Sequence, residues 1–209
     1  MALALDGSAH GNNASGTSVA VNLTTTQTND YIIVAIVANS GPIVSVSSTA
    51  LGSFTFMAAS AGSGNVEEVW YKFSSGTLTA DTITVTQSAV DYITIDAFGV
   101  SGSGQTSAVF DSGGPQTTAG ADPLSITTHN PNTMAVGCFR PNAANPTAGS
   151  GFNQISGADF ALVEDKILSS AQTLSCTVGT GVGTSNGAVV FAIVQATITI
   201  GNPVGQIWM

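Results

Sequence analysis

The sequence has 209 residues, of which 43% are hydrophobic and only 7% are charged, and its formal net charge is −9. The hydrophobic fraction is large enough for a core, and so few charges argue against a disordered chain. Its only cations are Lys72, Arg140 and Lys166. The sequence therefore argues against a nucleic-acid site, which needs clustered Lys or Arg, and against binding to an anionic membrane surface.

The chain begins with residues 1–16, which are small and polar and are predicted to form an arm or a short edge strand. They have no basic region, and their apolar run is too short for a signal peptide. Alternation from Val19 to Leu23 then starts a sheet. Asp30–Asn39 is apolar at odd and even positions alike and rich in β-branched residues, which predicts a central strand covered on both faces. It is too short to span a membrane.

Short alternating segments continue the sheet, and the clearest of them contains Trp70. If Tyr71 points into the core, Trp70 points outward beside Glu68 and Lys72, because neighbouring side chains of a strand point to opposite faces. Two interpretations stay open, a Trp half-covered by a neighbouring loop or a contact residue for a sugar or another subunit. The predicted strands are 43–46, 54–58, 66–73, 81–87 and 92–100.

The same pattern recurs after residues 101–121, a Gly-, Ser- and Thr-rich stretch predicted to be a connector. Ile36 aligns with Cys138, an offset of 138 − 36 = 102, which makes 132–139 a second central strand. Further matches keep the same order along the chain, so we predict an internal duplication. The expected units are an N-terminal arm (1–16), a first repeat (17–100), the connector (101–121), a second repeat (122–200) and a C-terminal tail (201–209).

The tail follows a long alternating run and carries a penultimate Trp. Its apolar side chains are expected to dock either on the chain's own sheet or on a neighbouring subunit, which makes Ile207, Trp208 and Met209 candidate contact residues. Cys138 and Cys176 each lie on an apolar alternation. Buried free thiols are the main interpretation, with a disulfide as the alternative.

The sequence contains no motif that identifies a catalytic residue, a metal site or a cofactor site. Gly183-Thr-Ser-Asn-Gly fits G-x-S-x-G, but a strand follows it where a nucleophile elbow needs a helix, and Asn-Gly favours a hairpin turn. His10 and His129 are the only histidines, and neither belongs to a cluster with zinc spacing. Acids in loops such as Asp111 and Asp122 leave a calcium site open as a minor alternative. Adjacent acids such as Glu67-Glu68 point to opposite faces of a strand, so they do not form a catalytic pair.

The succession of strand motifs resembles a known class of module. A Thr-rich strand leads into Asn-Asp-Tyr-Ile-Ile-Val-Ala-Ile-Val, followed by Phe-Thr-Phe, Val-Trp-Tyr-Lys-Phe, Thr-Ile-Thr-Val-Thr and Ile-Thr-Ile-Asp-Ala-Phe-Gly-Val. This resembles the jelly-roll-like β-sandwich modules of bacteriophage virion proteins, both capsid-decorating and tail-fibre ones, and of bacterial surface proteins. The resemblance covers roughly 17–196. It implies an all-β, antiparallel, jelly-roll-like sandwich, built here from two internally similar halves, and a structural role without shared catalytic residues.

The first functional hypothesis is a non-enzymatic structural protein of a phage particle, most simply a capsid decoration or auxiliary head protein. It would be homo-oligomeric, bind the major capsid protein or other virion subunits, and reside in a virion assembled in the host cytoplasm. The alternatives are a tail-fibre or receptor-binding module that recognises glycans through Trp70, and a self-assembling filament subunit at the cell surface or outside the cell. In the filament, the arm or the tail would complete a neighbour's sheet.

Overall fold

The computed structural model describes residues 1–39, 42–61, 66–103, 110–119, 123–179 and 187–196. These residues form fourteen strands and no helix, and the strand pairings are antiparallel, as predicted. The strands are β1 (Ala4–Leu23), β2 (Asp30–Ala38), β3 (Ile43–Ser48), β4 (Gly52–Ser53), β5 (Thr55–Ala61), β6 (Val66–Ser74), β7 (Asp81–Ser101), β8 (Gln116–Thr118), β9 (Leu124–Thr127), β10 (Thr133–Phe139), β11 (Asn153–Ala158), β12 (Ala161–Leu168), β13 (Thr173–Cys176) and β14 (Ala188–Val194).

The first sheet is organised around the long strand β7. Along its whole length β7 pairs with β1, while its other edge pairs with β3 in its first part and with β2 in its second part. Beyond β2 the sheet continues to β6 and β5, and beyond β3 to β4. Ile83 and Val85 of the first part share one core with Ile93 and Ile95 of the second. The sheet therefore folds over itself and makes a first sandwich.

The second half of the chain makes a smaller sandwich with the same plan. Its large sheet has the order β11-β12-β10-β14-β8, and a two-stranded sheet of β13 and β9 covers one face. The side chains between these sheets are apolar: Ile126, Phe139, Leu162, Cys176, Ala188, Val190 and Ala192. Cys138 and Cys176 are both buried and free, which confirms the thiol prediction.

The two sandwiches pack against each other through their large sheets. A third core lies between them, with Ile33 and Phe98 on the first sandwich and Val136 and Phe191 on the second. Phe110 bridges the two, because its ring centroid is 4.8 Å from that of Tyr71 and 6.1 Å from that of Phe191. The strands β2 and β10 are consequently buried along their entire length on both faces, as predicted for both central strands.

Equivalent hydrogen bonds show how the halves correspond. Thr25 donates its backbone N–H to the Leu78 carbonyl, and its hydroxyl oxygen accepts the Leu78 N–H. Thr128 and Gln172 make the same two bonds in the second half. Thr25 and Thr128 correspond at an offset of 128 − 25 = 103, one more than the predicted 102, while Leu78 and Gln172 correspond at an offset of 172 − 78 = 94.

Two further features agree with the offset of 103. Asn29 and Asn132, at 132 − 29 = 103, both have a left-handed backbone with φ of 65° and 52° immediately before the central strand. The predicted match of Ile36 with Cys138 is wrong, since Ile36 packs inside the first sandwich and Cys138 packs between the sandwiches. Because side chains alternate between faces, a slip of one residue exchanges the two cores while leaving the apolar pattern intact.

The N-terminal segment is a strand and not a free arm, which agrees with the edge strand given as the alternative for residues 1–16. Residues from Ala4 to Gly16 are hydrogen-bonded to β7 as part of β1, which lies at the edge of the first sheet. In the connector, β8 pairs with β14 and belongs to the second sandwich. Residues 104–109, 120–122 and the tail 201–209 lie outside the described residues.

The burial of β2 on both faces predicts a large effect of one truncation. Ile36→Ala should lower the free energy of unfolding by about 3 kcal/mol, because a fully buried Ile loses its contacts and leaves a cavity. Val44→Ala, on β3, serves as the control, because Val44 is 61% exposed and should change stability by about 0.5 kcal/mol or less. Urea unfolding followed by circular dichroism measures both, and equal effects would contradict the double-sided burial of β2.

Candidate functional site

A histidine between two carboxylates joins the sandwiches. His10 on β1 lies directly opposite Asp96 on β7, and its Nδ1 is 2.7 Å from Asp96 Oδ1. Its Nε2 is 2.8 Å from Oδ2 of Asp159, which belongs to the second sandwich. The imidazole therefore forms a polar contact across the boundary between the two halves.

The hairpin between β11 and β12 presents Asp159 to His10. Asp159 and Phe160 have φ of 51° and 62°, the pair of left-handed residues that a tight type I′ hairpin turn requires. Tyr92 Oη donates to the Asp159 carbonyl at 2.6 Å, and Thr94 Oγ1 donates to the same carbonyl at 3.2 Å. Asn12 Nδ2 donates to the Asp159 carboxylate. Side chains of β1 and β7 thus hold both the backbone and the carboxylate of the turn.

The electrostatics of His10 favour the charged imidazolium. The hydrogen bond to Asp96 raises the pKa of His10 to about 9, with help from Asp159 and against the opposing effect of burial. In return His10 lowers the pKa of Asp159. At neutral pH both ring nitrogens therefore carry protons and both donate to carboxylates. Ser156 Oγ is 3.4 Å from Nδ1, but an imidazolium has no lone pair to accept the serine proton, so this contact is not a nucleophile–base pair.

Glu67 and Arg140 extend this polar region. Glu67 is only 1% exposed, and burial raises the pKa of its carboxyl well above the usual range, with a further contribution from Asp96 and an opposing one from Arg140. Arg140 donates from a guanidinium NH₂ group to Asn39 Oδ1 at 2.7 Å, again linking the two halves. We call His10, Glu67, Tyr92, Asp96, Arg140 and Asp159 the polar cluster.

Asp111 holds the loop that leads into β10. Its carboxylate accepts hydrogen bonds of 3.0 Å from the backbone N–H of Gly113, His129 and Asn130, and one of 2.9 Å from Asn130 Nδ2. Burial alone would raise the pKa of Asp111, but these donors outweigh burial and hold the pKa at about 2. The carboxylate of Asp111 is therefore a hydrogen-bond acceptor that holds the loop. The sequence had left open the alternative that Asp111 is a calcium ligand.

Asp6 does the same for the loop that leads into β2. It accepts from the N–H of Thr26 at 2.9 Å, from the Thr26 hydroxyl at 2.8 Å and from the N–H of Gln27 at 2.7 Å. Thr26 and Gln27 correspond to His129 and Asn130 at the offset of 103, so the aspartate that pins this loop is part of the duplicated unit. Nearby, burial and the Asp6 carboxylate raise the pKa of Asp30 to about 7.

Trp70 is half-buried, and both its indole N–H and its ring contact other residues of the same chain. Its Nε1 donates to Glu68 Oε2 at 2.9 Å, and its ring meets the ring of Phe56 edge-on at 5.4 Å. Phe56, from the neighbouring strand β5, is 48% exposed and is the more accessible ring of the pair. The other predicted contact residues, Ile207, Trp208 and Met209, lie outside the described residues, as does most of Gly183–Gly187.

Sequence reasoning missed the polar cluster. It placed His10 in the predicted arm or edge strand of residues 1–16 and Asp96 in the predicted strand 92–100, without relating the two residues. The only available signal was that Asp96 interrupts the apolar side of a segment that is buried on both faces. Nothing in the sequence connects either residue with Asp159, because that contact arises from the packing of two sandwiches.

Comparison with protein-family models, curated proteins and solved structures gave no match to this chain. Across the described ranges, no group of three or more His, Cys, Asp or Glu side chains is arranged to hold a metal ion. The same residues include no helix with the length and apolar character needed to cross a membrane. The resemblance to phage modules therefore stays a prediction.

The hydrogen bonds of Asp111 predict a stability effect with a defined pH dependence. Asp111→Asn should lower the free energy of unfolding by about 2 kcal/mol at pH 7, because a pKa held near 2 instead of 3.8 means that folding stabilises the carboxylate. The stabilisation by Asp111 is present above pH 3.8 and is lost as the pH falls through about 2. Urea titrations of both proteins at several pH values measure the difference.

Asp91→Asn is the matched control for the loss of one negative charge, because Asp91 is only half-buried. Its effect should stay well below that of Asp111→Asn at pH 7. A difference between Asp111→Asn and the wild type that persists unchanged down to pH 2 would contradict the assigned role of the carboxylate.

Proposed function

We propose that the protein is a non-enzymatic structural component of a phage particle, most simply a capsid decoration protein that binds the major capsid protein and reinforces the shell. The observation behind this proposal is that the side chains with shifted pKa values also hold parts of the fold together. Asp6 and Asp111 pin loops, and His10 pairs with a carboxylate on each of its nitrogens. A body stiffened in this way is suited to mechanical support.

The distribution of acids supports the same proposal. Nine of the eleven acids that the structure describes are buried, and only Asp91 and Asp159 are half-buried. The exposed parts of strands instead carry Thr, Ser and Asn, as in the ladder where Thr82 Oγ1 donates to Asn22 Oδ1 at 2.9 Å. A surface with so few charges presents little electrostatic repulsion to neighbouring copies in a dense assembly.

The chain ends offer a surface for attachment. Gln195 Nε2 donates to the carbonyl of Met1 at 3.0 Å, so the N-terminus and the last described residues meet at one end of the molecule. Met1 and Leu5 at this end are 62% and 41% exposed. The sequence continues beyond Ala196 for another 13 residues, including the apolar Ile207-Trp208-Met209. We propose that this end faces the shell, where apolar contacts would be buried.

The proposal predicts that the protein is part of purified particles. Particles from a culture that carries the gene should be purified by density gradient and analysed by mass spectrometry, with peptides of this chain co-purifying at a constant ratio to the major capsid protein. Chymotrypsin is the suitable protease, because Arg140 precedes Pro141 and trypsin would cut only after Lys72 and Lys166. Absence of the chain from intact particles would refute a virion role.

The orientation is tested separately with two matched variants. Leu5→Asp should weaken co-sedimentation of purified protein with particles that lack it, by about tenfold in affinity for one buried apolar contact. Val44→Asp should bind like the wild type, because Val44 follows Ile43, which pairs with Gln87, and Gln87 is 100 − 87 = 13 residues along β7 from Val100, the partner of Leu5. Equal loss in both variants would mean that the end with the termini is not the contact surface.

One observation favours the second candidate function, glycan recognition. Phe56 rests on Trp70 with almost half of its surface exposed, and an exposed aromatic ring is the kind of platform on which sugar rings stack. On a glycan array the wild-type protein should then give specific signals that Phe56→Ala reduces at least tenfold and Val44→Ala leaves unchanged. The absence of specific signals, or signals that Phe56→Ala leaves unchanged, would rule out glycan recognition through Phe56.

A further inference from the structure

The contact between the sandwiches has two chemically different parts. One part is apolar and contains the aromatic bridge of Phe110 between Tyr71 and Phe191. The other is the polar cluster, in which the turn Asp159–Phe160 reaches over to β1 and β7. The ring of Phe160 lies edge-on to Tyr92 at 6.1 Å, so this turn is held by one aromatic contact and several polar ones. A change in charge can loosen the second part and leave the first intact.

We propose that the β11–β12 hairpin is a latch between the two sandwiches and that the proton on His10 decides whether it is closed. With His10 charged, both Asp96 and Asp159 are neutralised by the cation between them. Without that proton, the single ring N–H serves only one carboxylate, and two negative charges face each other across a neutral ring. The hairpin would then separate from β1 and β7, while each sandwich keeps its own core.

Glu67, Tyr92 and Arg140 are further charged or titratable groups around the latch. Asp96 is buried beside Glu67, and burial raises the pKa of the Glu67 carboxyl well above its usual range, which favours the protonated form of Glu67. Arg140 interacts with Glu67 and donates to Asn39. Tyr92 has a raised pKa, so its hydroxyl stays a donor to the turn. Among these groups, His10 is the one that contacts both carboxylates, and its pKa of about 9 places the loss of its charge above neutral pH.

The sign of the effect follows from linkage. The pKa of His10 is about 9 in the closed latch and lower in the open form, where Asp96 remains its partner and Asp159 does not, so the proton stabilises the closed form fully below the pKa of the open form. The stabilisation is lost progressively as the pH rises to about 9. Because Asp96 acts on His10 in both forms and the side chain of His10 is 27% exposed, only part of the shift is linked to closing, and we expect the closing equilibrium to change by about tenfold.

Hydrogen–deuterium exchange of peptides covering 153–163 tests the proposal. The full-length wild type and His10→Gln should be compared at each pH from 6 to 10, so that the intrinsic pH dependence of exchange cancels in the ratio of the two rates. Glutamine keeps hydrogen-bonding capacity but not the charge. We expect the variant to exchange about tenfold faster at pH 6 and the ratio to fall to about one above pH 9.5. A ratio near one at pH 6 would overturn the proposal.

His129 provides a control variant for the exchange experiment and allows the NMR signal of His10 to be assigned. His129→Gln should leave exchange of 153–163 unchanged at every pH, because His129 contacts Asp111 and lies outside the polar cluster. In that variant the single imidazole signal in an NMR titration belongs to His10, and its midpoint should lie near 9. A midpoint near 6.5 would also overturn the proposal.

If His10→Gln does not fold, Asp159→Asn gives an independent test. It removes the charge on the second sandwich and leaves the pairing of His10 with Asp96 inside the first. The midpoint of His10 should then fall measurably below that of the wild type, and exchange of the hairpin should rise at pH 6. An unchanged midpoint together with unchanged exchange would mean that Asp159 holds no latch.

Discussion

The face-to-face packing of two large sheets is the constraint on which the rest of the structure depends. The central part of each sheet must be apolar on both sides, since one face lies in the core of its own sandwich and the other face meets the other sandwich. This explains why β2 and β10 contain no exposed residue along their length. It also accounts for buried acids such as Glu67 and Asp96, because the strands that carry them are enclosed between layers.

Much of the detail within one half has a structural counterpart in the other half. Each half has a central strand preceded by a left-handed Asn, and a loop pinned by a buried Asp. Each half also has a bulge in the outer strand, between Phe56 and Ala58 in β5 and between Gln154 and Ser156 in β11. The polar cluster is not duplicated in this way. His10 has no counterpart in the second half, so the cluster belongs to the contact between the halves.

The burial of acids changes how the charge of this protein should be understood. The formal charge of −9 assumes that all twelve acids are ionised. Burial raises the pKa of Asp30 to about 7 and that of Glu67 well above its usual range, while the donors around Asp111 keep that group ionised. The real charge at neutral pH is therefore smaller in magnitude. Charge and stability are coupled here, because the same few groups determine both.

The sequence by itself determined the strands, because alternation of apolar residues reports local burial and needs no knowledge of partners. It identified both central strands, the two free thiols and the order of the duplicated elements. Tertiary structure alone decided the register of the duplication, since a shift of one residue leaves the apolar pattern of a doubly buried strand unchanged. It also decided that Ala4–Gly16 pairs with β7, and that His10 meets Asp159. Those contacts join residues that are far apart in the chain. The pattern of apolar residues along a chain reports local burial and does not identify which distant residues meet.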